Sequence, residues 1–173
     1  MSPSLIVALA VLLLACGCQR SGPPAHQPVP GVTPAPVDTA TQARDSTDGA
    51  ANVVLAYYRA INERRYRDAY RLWVSDGAAS GKSLEAFRDG FASTASVDVV
   101  LGASGPIGAA AGSRYIEIPV TITAIAADRG RQAFVGSYTL RRSVVDGATP
   151  EQRAWRIYSA QIRHVAARPT EGD

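Results

Sequence analysis

The spacing of apolar residues changes period once along the chain, near residue 95, and that change limits the fold more than any other feature. Between residues 49 and 91 the period is helical. Val53, Val54, Tyr57, Ala60 and Ile61 share one arc, with Asn52, Arg59, Asn62 and Glu63 opposite. Tyr66, Ala69, Tyr70 and Trp73 make a second apolar stripe, with Arg67, Asp68 and Arg71 outside it, and Leu84, Phe87 and Phe91 make a third. Asp48 and Ser83 suit the N-caps of the first and third helices, and Ser75-Asp76-Gly77 stops the second.

From Val97 onward the period is two. Val97–Leu101 reads as a short strand, and 102–112 as a loop rich in Gly and Ala. Tyr115–Ala126 alternates Ile116, Ile118, Val120, Ile122 and Ala124 against Tyr115, Glu117, Thr121 and Thr123. Asp128-Arg129-Gly130 is a hairpin turn, Ala133–Val145 the next strand, Asp146-Gly147 the start of a longer turn, and Ala154–Val165 the last strand. Three helices followed by a four-stranded antiparallel meander predict an α+β layered domain over 49–168. Residues 169–173 are a polar tail.

The first 48 residues carry no such pattern. Leu5–Ala15 is an unbroken apolar run of eleven residues. As a helix it spans about 16 Å, half of a bilayer core, which suits a signal peptide and not a membrane span. Leu13-Leu14-Ala15-Cys16 follows, and Cys18 is the only other cysteine. With Leu at −3 and Ala at −1, this segment resembles the lipobox of bacterial lipoproteins. The resemblance implies cleavage after residue 15 and acylation of Cys16, with Cys18 as the alternative acceptor; a simple cleaved secretory signal is the competing reading. Neither Gly17 nor Ser21 is the Asp that favours inner-membrane retention, so the resemblance implies an outer-membrane anchor with the domain facing the periplasm. Residues 16–48 hold six of the eleven prolines and no aromatic, Leu or Ile. Such a stretch cannot bury enough surface to offset its ordering entropy and is expected to be an extended, disordered tether.

Within the domain, Tyr57-Tyr58-Arg59-Ala60-Ile61-Asn62 followed by Arg65-Tyr66-Arg67-Asp68-Ala69-Tyr70, then Ser83-Leu84-Glu85-Ala86-Phe87, then Gly136-Ser137-Tyr138-Thr139-Leu140 with Trp155-Arg156-Ile157, resemble the NTF2-like (cystatin-like) superfamily. That resemblance implies a cone of helices on a strongly curved antiparallel sheet of about four strands. It does not select an activity, because the superfamily includes isomerases, dehydratases, transport factors and envelope lipoproteins.

Few segments of the chain carry a motif for chemistry. Ser80-Gly81-Lys82-Ser83 lacks the upstream glycine and preceding strand of a phosphate-binding loop. One histidine, no cysteine and scattered acids in the domain argue against a metal, and no cofactor motif is present. Members of the resembled superfamily place Asp or His inside the cone beside Tyr or Trp, which makes Tyr58, Tyr70, Trp73, Asp98 and His164 the candidate cone pocket. Alternation nonetheless points Asp98 to solvent, His164 falls near a strand end, and the aromatics sit at core spacing. Between 49 and 168 there are sixteen basic and ten acidic residues. The densest basic group, Arg59, Arg64, Arg65, Arg67 and Arg71, is a solvated helix face or a contact for anionic lipid or polymer. Nucleic acid is not expected as a partner of an exported chain. The expected function is therefore binding of a protein partner or small ligand, with homodimerisation through the face bearing Tyr115, Glu117, Thr121 and Thr123. Acid–base catalysis in the cone, of isomerase or dehydratase type, is the alternative.

Overall fold

The computed structural model describes residues 46–165. Leu5–Ala15, Cys16, Cys18, the tether up to residue 45 and the tail at 169–173 lie outside the described residues. The first helix, α1 (Thr47–Asn62), starts two residues before the expected domain boundary. Its N-cap is Ser46, whose hydroxyl accepts from the Gly49 N–H at 3.2 Å, and Asp48 instead occupies the first turn, where its charge suits the helix dipole. Helix α2 (Tyr66–Arg71) follows a bend at Arg64, which has φ 59. A 3-10 turn (Ala78–Ser80) leads to α3 (Leu84–Asp89), capped by Ser83, whose hydroxyl accepts from the Ala86 N–H.

The sheet comprises β1 (Thr94–Leu101), β2 (Gly108–Ala110), β3 (Ser113–Ala126), β4 (Arg131–Ser143) and β5 (Arg156–Val165). Every strand pairing is antiparallel, in the order β1-β3-β4-β5, and β2 pairs with the start of β3. The segment expected to be a loop at 102–112 therefore contains a strand. Gly102 N–H donates to Pro119 O and Gly105 N–H to Glu117 O, so β1 and β2 follow one edge of β3 with extra residues bulged between them. All three β2 residues are exposed, which removes the alternation by which a strand is read.

The inner face of β3 buries Ile116, Ile118, Val120 and Ile122, and β4 adds Tyr138 and Leu140 opposite Ile118 and Ile116. Onto this face α1 packs Ala50, Val54, Tyr57, Tyr58, Ala60 and Ile61, and α3 packs Phe87. Two features pin the helical layer to the sheet. The Asn62 side-chain amide donates to Val97 O and accepts from Val97 N–H, both at 2.8 Å, covering the free edge of β1 as a neighbouring strand would. Past the end of α2, Val74 N–H donates to Ile157 O and Ile157 N–H to Leu72 O, so Trp73 makes a parallel bridge to β5. The predicted second helix ran through Trp73; this bridge ends it at Arg71.

A further helix, α4 (Pro150–Arg153), lies between β4 and β5 where a turn was expected. Its capping box is complete: Thr149 Oγ1 accepts from Gln152 N–H, Gln152 Oε1 accepts from Thr149 N–H, and Pro150 opens the helix. Among the described residues no helix is long and apolar enough to cross a membrane.

Candidate functional site

The concave interior is filled by aromatic side chains. Tyr57 meets Tyr58, Trp73, Phe87 and Tyr138 edge-on, at centroid separations of 5.0, 6.2, 6.2 and 6.0 Å. This is the geometry that the ring quadrupoles favour, contributing about 0.5–1.5 kcal/mol per pair beyond area burial. The Tyr58 and Tyr138 hydroxyls, both buried, share a hydrogen bond of 2.6 Å. Burial pushes the phenols of Tyr57, Tyr58 and Tyr138 well above the ordinary tyrosine range, and the closeness of the phenols adds to it for Tyr57 and Tyr138. Tyr70 lies at the rim, edge-on to Phe87 at 5.4 Å, with its hydroxyl donating to Lys82 O.

The five residues expected to form a cone pocket are thus divided. Tyr58 and Trp73 are buried in the interior, and Tyr70 flanks it. Asp98 is exposed and pairs with Thr123 on the outer face of the sheet. His164 shares the inner face with Phe134, its ring 5.2 Å away edge-on, but it is exposed at the far end of β5. Neither titratable group reaches the aromatic cluster, and among the described residues no group of three or more His, Cys, Asp or Glu could hold a metal ion.

A cavity of about 670 Å³ opens elsewhere, where the segment after α2, the end of β4, helix α4 and the start of β5 meet. Its walls include four arginines (Arg71, Arg141, Arg142 and Arg156), two carboxylates (Asp76 and Glu151), and Trp73, Val74 and Val145. Two of the guanidinium groups are held in place by the fold. Arg141 Nε donates to the hydroxyl of buried Ser113 at 3.0 Å, and Arg156 Nη1 donates to the carbonyl of Arg71 at 3.1 Å. Arg142 lies over the Trp155 ring, 5.5 Å from its centroid, a cation–π placement. Asp76 reaches Arg71 at 3.5 Å across an exposed surface, a weak pairing. The indole N–H groups of Trp73 and Trp155 are buried and make no hydrogen bond of standard geometry.

No family model and no curated protein matches the sequence. Solved structures do match. A candidate scytalone dehydratase from Novosphingobium aromaticivorans DSM 12444 superposes with a TM-score of 0.51 at 12% identity, across 75% of this chain and 89% of that one. The Kfla4162 protein of Kribbella flavida gives 0.50 at 14% identity, across 75% and 94%. A candidate dehydratase from the NTF2-like family of Streptomyces avermitilis gives 0.50 at 14% identity, across 75% of this chain and all of that one. The fold is NTF2-like. At these identities the likeness concerns the backbone arrangement and leaves the chemistry to the residues.

Sequence reasoning missed the arginine-lined cavity of this NTF2-like domain, although two cues were present. Arg141-Arg142 stands inside a strand, where adjacent side chains take opposite faces, so one arginine had to turn inward. Thr149-Pro150-Glu151-Gln152 is a helix-start signature that would have placed α4 beside them. Of the basic group around Arg65, Arg65 itself bridges Glu63 and Asp68, both at 2.6 Å, on an exposed surface. On the outer face, Ser137 Oγ donates to Glu117 Oε1 at 2.5 Å and Tyr115 meets Tyr158 edge-on at 5.7 Å.

Proposed function

We propose that this chain is a bacterial envelope lipoprotein, acylated at Cys16, whose NTF2-like domain binds a small ligand at the arginine-lined cavity without transforming it. The observation that carries the binding reading is the division of the domain into an interior filled by five interlocked aromatic rings and a separate cavity of about 670 Å³. That volume lies within the range of small-molecule sites. The lipobox resemblance at Leu13–Cys16 supports the anchor. Three hydrocarbon chains on one cysteine exceed the two membrane signals that stable attachment needs.

Two experiments test the reading. Labelled palmitate should enter the full chain in a bacterial host and be lost in Cys16→Ser; label retained there and lost in Cys18→Ser moves the anchor two residues on. Ligand-observed NMR with a fragment library of mixed charge should detect binders to the full chain that Val145→Trp, which puts a bulky ring on the cavity wall, weakens or displaces. Binders indifferent to Val145→Trp, or no binders, would refute the cavity as the site.

Dehydratase-like chemistry in the interior is a second reading. The buried Tyr58–Tyr138 hydroxyl pair favours it, as a polar pair within the aromatic cluster. It requires an interior that opens, which solvent-exchange measurements on the tyrosine hydroxyls would detect.

A further inference from the structure

The cavity walls specify the charge of what fits between them. The residues lining the cavity include four arginines and two carboxylates, so its surroundings are more basic than acidic. Asp76 is mostly solvated and 3.5 Å from Arg71, and Glu151 accepts hydrogen bonds at the start of α4, which lowers its pKa and occupies its charge there. Neither carboxylate therefore cancels the basic character of the walls, and such a concave basic surface favours anions.

The geometry selects among anions. The arginines come from three elements, α2, β4 and β5, and so approach from different sides. A planar carboxylate presents two oxygens in one plane and pairs best with one guanidinium fork. A phosphate monoester presents three oxygens in a tetrahedral spread and carries about −1.5 to −2 charge near neutrality. The bonds from Arg141 to Ser113 and from Arg156 to the Arg71 carbonyl each use one N–H donor of five and restrain the side chain, so part of the ordering cost is met before a ligand arrives. The cavity is also much larger than a phosphate group, and Trp73, Val74 and Val145 give it an apolar wall.

Resting on the reading of this cavity as the ligand site, we infer that it takes a phosphate monoester bearing an organic body, with the phosphate among the arginines and the body against Trp73, Val74 and Val145. The phosphate could be that of a free small molecule or of a lipid headgroup.

Calorimetry on the full chain in detergent, with glycerol 3-phosphate, succinate and inorganic phosphate as probes, tests this, together with flotation on vesicles of phosphatidylcholine with or without phosphatidic acid. Glycerol 3-phosphate should bind more tightly than succinate or inorganic phosphate and weaken with added salt. Arg156→Gln and Arg71→Gln should each weaken it about tenfold, the scale of one charge-assisted contact. Asp76→Asn should strengthen it, an effect that loss of structure cannot imitate. Flotation dependent on phosphatidic acid and on Arg156, without binding of glycerol 3-phosphate, assigns the phosphate to a lipid. Succinate binding equally well overturns the phosphate assignment, as does glycerol 3-phosphate binding that is indifferent to all three substitutions. Fragments displaced by Val145→Trp would then still uphold the cavity, whereas their absence would remove the site itself.

Discussion

Gly136 has no room for a methyl group. A Cβ there would run into the carbonyl of Gln161 on β5, so the close approach of β4 and β5 depends on this glycine. Gly136→Ala should cost about 3 kcal/mol and lower Tm by roughly 10 °C in calorimetric melting. The tyrosine pair behaves differently. Tyr138→Phe strands a buried Tyr58 hydroxyl and should cost about 1–3 kcal/mol, while Tyr58→Phe with Tyr138→Phe should cost less than the two single changes added together; a double-mutant cycle in urea measures the difference. The same burial fixes the alkaline limit. Folded-state pKa values of Tyr57, Tyr58 and Tyr138 are raised, so stability is fully present below the unfolded value near 10. Above it the unfolded chain loses these protons and the folded chain keeps them. Stability should therefore fall by about 1.4 kcal/mol per pH unit for each phenol, and the three should ionise together with unfolding in an absorbance titration.

Elements differ in how openly the sequence announces them. The inner face of β3 was legible because each buried residue, from Ile116 to Ile122, alternates with a polar or exposed one. The hairpin at Asp128–Gly130 was legible because its turn chemistry is local: Asp128 Oδ1 accepts from Gly130 N–H at 2.8 Å, and Arg129 takes φ 69. Strand β2 was not, because its identity lies in backbone bonds to β3 and not in its side chains. Trp73 was placed on a helix because its spacing fits one, while the bridge to Ile157, 84 positions away, decides otherwise. Asn62 illustrates the same limit, since an exposed helical asparagine gives no hint of the strand it serves. Asn62→Ala should release the edge of β1, costing about 2 kcal/mol, and hydrogen exchange should quicken in β1 ahead of β3 and β4.

Across the described domain, the helices close one face of the sheet and the cavity opens at one end of it, beside α4. The candidate cone residues were chosen for their chemistry, yet the fold uses its aromatics as packing and leaves Asp98 and His164 at its surface. Which titratable groups converge depends on strand register, and a single sequence does not state it. The arginines gather around one cavity because the end of α2, the end of β4 and the start of β5 lie together. A ligand held by all three should resist their separation. At a hundredfold excess over Kd it should add about 2.7 kcal/mol to stability, readable as a rise in Tm of the full chain that Arg156→Gln reduces.

The chain has two tryptophans, and both stand at this end of the domain. Trp73 has its ring among the interior aromatics and also forms part of the cavity wall, while Trp155 lies beneath Arg142. Their emission is therefore a built-in optical gauge. A guanidinium drawn off Trp155 by an incoming anion would change its brightness, and loosening of the interior would shift Trp73 to longer wavelength. The unlabelled protein can thus report occupancy and core integrity as two separable colours of one spectrum.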